Sequence, residues 1–182
     1  NMIVNNVAAL AGGGISLQDS ARVNIINSTI ANNDSTGTAG EAFPPGSPNQ
    51  SNAQPAGIVA RAHSPELAAV FGNNAPVTPY KVFSNALLQN DIIWNNRSFY
   101  FQVDTTTDPP SYSLMPVVTP QNPAPSVWDL AVLGTAAPAT LNPQFSLLTG
   151  AADPLFVREY FNGNRGSTVI QPEITTAIQA PP

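Results

Sequence analysis

Cysteine is absent from the 182 residues of this chain. That excludes a disulfide framework, thiolate metal centres and covalent haem attachment. Charge is scarce as well: Asp, Glu, Lys and Arg make up 9% of the residues, against about 25% in an ordinary soluble domain. The six cations, Arg22, Arg61, Lys81, Arg97, Arg158 and Arg165, are scattered and the net charge is −5. Nucleic acid and anionic membrane surfaces both need clustered cations, so neither is an expected partner. No apolar run approaches the roughly 20 residues of a membrane-spanning helix. No signal-peptide pattern is present. There is one histidine, His63. The sequence contains no HExxH, phosphate loop, EF-hand pattern or Ser/His/Asp order, and no cofactor or metal is expected.

What the chain does have is amide and hydroxyl side chains, 19 prolines and an apolar fraction of 42%. The apolar fraction argues against wholesale disorder. The prolines disfavour long helices. Three segments repeat: Asn1-Met2-Ile3-Val4-Asn5-Asn6, Ser28-Thr29-Ile30-Ala31-Asn32-Asn33 and Asp91-Ile92-Ile93-Trp94-Asn95-Asn96. Each ends an apolar alternation with Asn-Asn. Asn5 and Asn32 are 27 residues apart, and Asn32 and Asn95 are 63 apart. A second echo joins Gly13-Gly14-Ile15-Ser16-Leu17 to Ala56-Gly57-Ile58-Val59-Ala60. Period-two alternation at Val23, Ile25 and Ile30 reads as strand.

Repeated short strands point to stacking. One turn of chain cannot bury its apolar side chains alone, but a neighbour completes its hydrogen bonds and core. An Asn recurring at one corner can bond its counterpart in the next turn and satisfy turn backbone. A structural ladder is therefore expected at Asn5, Asn6, Asn32, Asn33, Asn95 and Asn96.

Between the repeats, residues 34–55 read as a long Gly/Pro-rich loop, and a second insertion covers 62–80. Within it, Ser64-Pro65 followed by Gly72 predicts a short helix. A Pro-rich loop is expected over 104–126, then a strand at Val127–Leu133 and short extended pieces around Phe145 and Val169. The organisation expected is 1–103 as stacked coils with inserted loops (34–55, 62–80), and 104–182 as Pro-rich loop plus terminal strands packing on their end. The strand-like start at Asn1 and the stop at Pro181-Pro182 read as cuts in a longer precursor.

At these motifs the chain resembles bacterial right-handed parallel β-helix repeat proteins of the pectin-lyase-like superfamily. Gly12-Gly13-Gly14-Ile15, Asn27-Ser28-Thr29-Ile30-Ala31-Asn32-Asn33 and Asn90-Asp91-Ile92-Ile93-Trp94-Asn95-Asn96 are similar to their coils. Asp153-Pro154-Leu155-Phe156-Val157 is similar to a segment that often follows them. The resemblance implies an all-β solenoid, a right-handed parallel β-helix with long Pro/Gly-rich loops and one short helix. It also implies an extracellular or cell-surface bacterial protein, the present chain being a C-terminal part. It implies no activity, since such a fold hosts lyases, hydrolases, adhesins and structural modules.

The residues do not assemble an obvious catalytic centre. The acids Asp19, Asp34, Glu41, Glu66, Asp91, Asp104, Asp108, Asp129 and Asp153 are dispersed, whereas lyase and hydrolase chemistry needs carboxylates together. Asp19 with Arg22 reads as a turn ion pair and His63 as a loop residue. Trp94, Tyr100 and Trp128 are candidate glycan contacts, because aromatic faces suit apolar sugar faces. The expected function is a non-enzymatic structural or interaction module, part of an extracellular assembly. Its partners are other segments of the same precursor, or other protein chains at an open end, with polysaccharide a further candidate. The competing expectations are a polysaccharide lyase, glycoside hydrolase or glycan-binding module, and a filament or sheath subunit.

Overall fold

Asparagine sets the corners of this molecule. In the computed structural model, which describes residues 1–71, 80–117 and 126–150, Asn5, Asn27, Asn32, Asn90 and Asn95 all have φ between 50° and 58°. This left-handed conformation is strained for most side chains but accessible to Asn. Each such corner ends a strand of about three residues. The strands are β1 (Met2–Val4), β2 (Val7–Ala8), β3 (Ile15–Leu17), β4 (Asn24–Ile26), β5 (Thr29–Ala31), β6 (Asp34–Ser35) and β7 (Ile58–Arg61). They continue with β8 (Leu87–Gln89), β9 (Ile92–Trp94), β10 (Arg97–Asp104), β11 (Ser111–Pro116), β12 (Leu130–Leu133) and β13 (Leu147–Leu148). The described residues also form the helix α1 (Pro65–Phe71) and a 3₁₀ turn (Gly40–Ala42).

The strands pair in the orders β1-β5-β9-β13, β11-β10-β6-β2, β12-β7-β3 and β4-β8. Every pairing between these strands is parallel except β10 with β11. This corrects the fold expected from the resemblance. The described strands form four separate short sheets, parallel and mixed, and none closes or winds on as a solenoid, so a right-handed parallel β-helix is not shown. The physical reason lies in strand length and in β10. Left-handed corners stop most strands after two to four residues. At β10 the chain leaves parallel pairing and folds back on β11 in an antiparallel hairpin.

Register places like residues over like. Ile3, Ile30, Ile93 and Leu148 align across the first sheet. Ile30 and Ile93 have no exposed surface, while Ile3 and Leu148 at its two edges are only partly covered. Ile15, Ile58 and Leu130 repeat this pattern in the third sheet, with Ile58 fully buried between partly buried neighbours. The core is thus sealed in its middle layers and half-open at both ends. Full burial of one such side chain is worth about 1.5–3 kcal/mol.

Two segments expected as loops carry structure. The 34–55 stretch begins with the buried strand β6, and its Gln50 bridges Gln102 antiparallel on β10. The 104–126 stretch contains β11, whose Tyr112, Leu114 and Pro116 oppose Val103, Phe101 and Phe99. The prolines flanking β11 obscured that alternation, and pairing with β10 supplies the backbone partners that its own sequence does not advertise. The helix predicted from Ser64-Pro65 is α1, capped by a Leu67 N–H bond to the Ser64 hydroxyl. Beyond residue 104, β12 joins β7 and β13 joins β9, within the sheets built by the first half. The Asp153–Val157 motif, the piece near Val169 and residues 72–79 and 118–125 of the expected insertions lie outside the described residues.

Candidate interaction edge

Asn6, Asn33 and Asn96 form one continuous hydrogen-bonded line. The Asn33 side-chain oxygen accepts from the Asn6 backbone N–H at 3.0 Å and from the Asn6 side-chain amide at 2.9 Å. The Asn96 oxygen accepts the same two groups of Asn33 at 3.1 and 2.9 Å. Backbone N–H groups only donate, so they fix which way each amide points. The amide nitrogens of Asn33 and Asn96 also bond a carbonyl in the adjacent strand, Asn33 to Ile3 at 3.0 Å and Asn96 to Ile30 at 3.1 Å. The line ends on an acid: Asp129 Oδ1 accepts from the Asn96 amide at 2.8 Å and from its backbone N–H at 3.3 Å. Asp129 Oδ2 accepts from the Thr149 N–H. Asn33 and Asn96 are fully buried, whereas Asn6 is exposed.

Glycine allows this approach. A Cβ on Gly57 would fall on the Asp129 carbonyl oxygen, and that oxygen accepts from Ile58 N–H at 2.8 Å. The Gly57 position was visible in the sequence echo. Asp129 was not, because an acid stands there rather than a repeated Asn.

The second Asn line is looser. Asn95 donates to Asn32 at 3.0 Å. Both side-chain polar atoms of Asn5 are buried without a hydrogen-bond partner among the described residues. These residues serve chiefly through their left-handed backbone, not through a continuous side-chain chain.

The other polar groups of the interior are engaged structurally. Arg97 Nε and Nη2 bond the two oxygens of Asp34 at 2.9 and 2.8 Å, with 2% and 5% of the two side chains exposed. The guanidinium carbon lies 5.2 Å from the centre of the Phe99 ring. Asp91 accepts from the N–H groups of Ser28 and Gln89 at 2.8 and 3.0 Å. Burial pushes the Asp91 carboxyl up, against the opposing pull of those N–H groups. The sequence reading missed the Asp34–Arg97 pair.

His63 and Asp19 meet, but not as a working dyad. Nε2 of His63 lies 2.6 Å from the Tyr80 carbonyl oxygen and must donate to it. Nδ1 is buried 3.6 Å from Asp19 and makes no hydrogen bond among the described residues. The ring is 1% exposed and rests on Phe71 at 5.5 Å. Asp19 turns to Ser64 and His63 rather than to Arg22. The Ser64 N–H, at 2.7 Å, and then its hydroxyl hold the Asp19 carboxyl below its ordinary value, with a smaller contribution from His63. Ser64 spends its hydroxyl on Asp19 and the helix cap, not on the histidine. Among the described residues, no three His, Asp or Glu side chains gather as a metal site would require.

The three aromatic candidates do not form one platform. Trp94 is half-buried on β9 and Tyr100 half-buried on β10. Trp128 is 42% exposed beside a cavity of about 330 Å³ that Leu130, Val132, Ala139 and Leu141 also line. Instead, Phe43, Phe101 and Tyr112 adjoin with ring centres 6.1 Å apart at each step. The signal for this group was the alternation in β11.

Among the described residues, β1, β2 and β3 each lack a partner on one side. They pair with the consecutive strands β5, β6 and β7 on the other, so their free edges share one end of the molecule. Asn6 stands at that end. Among the described residues, no helix is long and apolar enough to cross a membrane.

No protein family, curated protein or solved structure matches this chain. The resemblance drawn from Gly12–Ile15, Asn27–Asn33, Asn90–Asn96 and Asp153–Val157 rests on those residues alone.

Proposed function

We propose that this chain is a structural and interaction module of a secreted or cell-surface protein, engaging other protein through the free edge of β1, β2 and β3. The observation that carries this reading is the contrast in the Ile3–Ile30–Ile93 column. The same residue, in register, is fully buried in the two inner strands and only partly covered at the edge. Unpaired edge N–H and C=O groups beside uncovered apolar side chains favour strand addition. The buried Asp34 and Asp91 and the half-buried Asp129 support the same reading, since they are held by an arginine or by N–H donors within the fold.

The test is the native mass of the protein in extracts of its source, beside the denatured mass, with cross-linking read by mass spectrometry. A native mass well above the denatured one, with cross-links from residues 1–17, is the expected result. A protein that runs alone, with no cross-link on that segment, overturns the reading.

A glycan-binding role has one specific observation in its favour, the exposed Trp128 ring beside its cavity. Quenching of tryptophan fluorescence by soluble polysaccharide, lost in Trp128→Ala, tests it.

A further inference from the structure

The Asn ladder has a direction, and the direction specifies what fits its open end. At every internal step, an Asn oxygen accepts from the backbone N–H and side-chain amide of the Asn before it in the ladder. Its own amide nitrogen donates back to a carbonyl of the strand that precedes that Asn and onward to the next oxygen. Asn6 repeats only the onward half. It donates to Asn33, and its oxygen has no partner among the described residues. To repeat the internal pattern, an incoming group must bring two donors to that oxygen and a strand carbonyl to the amide.

Resting on the interaction-module reading, we infer that the partner at this edge adds a parallel strand followed by an asparagine, of the kind seen in Thr29–Asn33, and is not a second copy stacked head to tail. A strand that bonds β1 while its Asn bonds Asn6 meets every unfilled position at once. A head-to-tail copy brings the other end of the ladder, which among the described residues is Asp129. A carboxylate only accepts. It would set an acidic oxygen against the Asn6 oxygen, and its own two oxygens already serve Asn96 and Thr149. Among the described residues, the ladder therefore has open positions at the Asn6 end and none at the Asp129 end. A like pair of acceptors costs affinity where a donor–acceptor pair gains it.

The experiment uses the whole chain and a fluorescent peptide with the sequence of residues 27–33, Asn-Ser-Thr-Ile-Ala-Asn-Asn. A matched peptide ends in Asn-Asp. Binding is read by anisotropy, and the site by hydrogen exchange at the amides of β1 and β2. The expected result is saturable binding of the Asn-ended peptide with slowed exchange at β1, and binding weaker by about tenfold or more for the Asp-ended one. Asn6→Leu, which keeps the β1 edge but removes the acceptor, should lose that discrimination. Equal binding of the two peptides overturns the inference while leaving the edge a docking site. No binding of either peptide overturns it as well, and if cross-links from residues 1–17 are then also missing in source extracts, the interaction-module reading falls with it. Concentration-dependent growth of the pure chain into head-to-tail oligomers, seen by sedimentation, also overturns it.

Discussion

The Asn96 side-chain amide and the Asp129 carboxylate meet at 2.8 Å, and this bond closes a line of side-chain hydrogen bonds that starts at Asn6. Its members differ in what their loss should cost. Asn33→Ala or Asn96→Ala leaves buried N–H and C=O groups unpaired on both sides and should cost about 2–4 kcal/mol. Asn6→Ala, at the exposed end, should cost less than about 1 kcal/mol. Urea midpoints for the three variants check this order, and equal losses would mean the line does not act as a chain.

Asp34→Ala should be among the most damaging single changes, at about 3–5 kcal/mol, because it strands the Arg97 guanidinium in the interior. Replacing both partners, Asp34→Leu with Arg97→Met, should recover much of that loss. Equilibrium unfolding of the two single variants and the double variant measures the coupling.

At Asn5 the side chain contributes no hydrogen bond, but the backbone φ is 58°. Asn5→Gly should therefore be neutral or slightly stabilising. Asn5→Ala should cost about 1 kcal/mol through the left-handed corner. If both substitutions cost the same, the side chain matters and the corner does not.

The pH dependence divides by site. Burial raises the folded-state value for Asp91 above its ordinary 3.8. Its protonated form therefore favours folding, and the stability it lends is lost as pH rises through the window from the ordinary to the raised value. The stability of Asp91→Asn relative to the native sequence should improve as pH rises above the ordinary 3.8, as denaturant midpoints would show. Asp19 has the opposite sign. Its lowered value means a contribution present above the ordinary value and lost as pH falls through the lowered one. Ser64→Ala, which removes one of its hydrogen bonds, should move the Asp19 carboxyl titration upward, as followed by ¹³C NMR.

Much of the ladder was legible because Asn-Asn recurs after β1, β5 and β9, each of which carries an Ile. The 63-residue step from Asn33 to Asn96 also carries Asp34 to Arg97 and Ser28 to Asp91, so the buried ion pair was within reach of the same offset. It was hidden because Asp34 opens a stretch so polar that it reads as loop, and the strand there is only two residues long. Asp129 was hidden by its difference from the repeat it terminates. The β10–β11 hairpin was hidden by the prolines around it, since cross-strand pairing rather than local propensity makes that strand. The overall architecture was less legible still. Repeats specify which strands lie side by side, but the expected solenoid required those strands to extend one continuous winding, and the described sheets do not.

In the sheet β1-β5-β9-β13, strand-to-strand hydrogen bonds all lie along one direction, at about 4.8 Å per step. A pull along that direction loads them one row after another, so the strands part like a zipper at low force. A pull along the strands loads each row in parallel shear and meets the whole of it at once. A module held by its β1 edge is for this reason compliant along one axis and stiff across it, and the way it is tethered decides which of the two its surroundings feel.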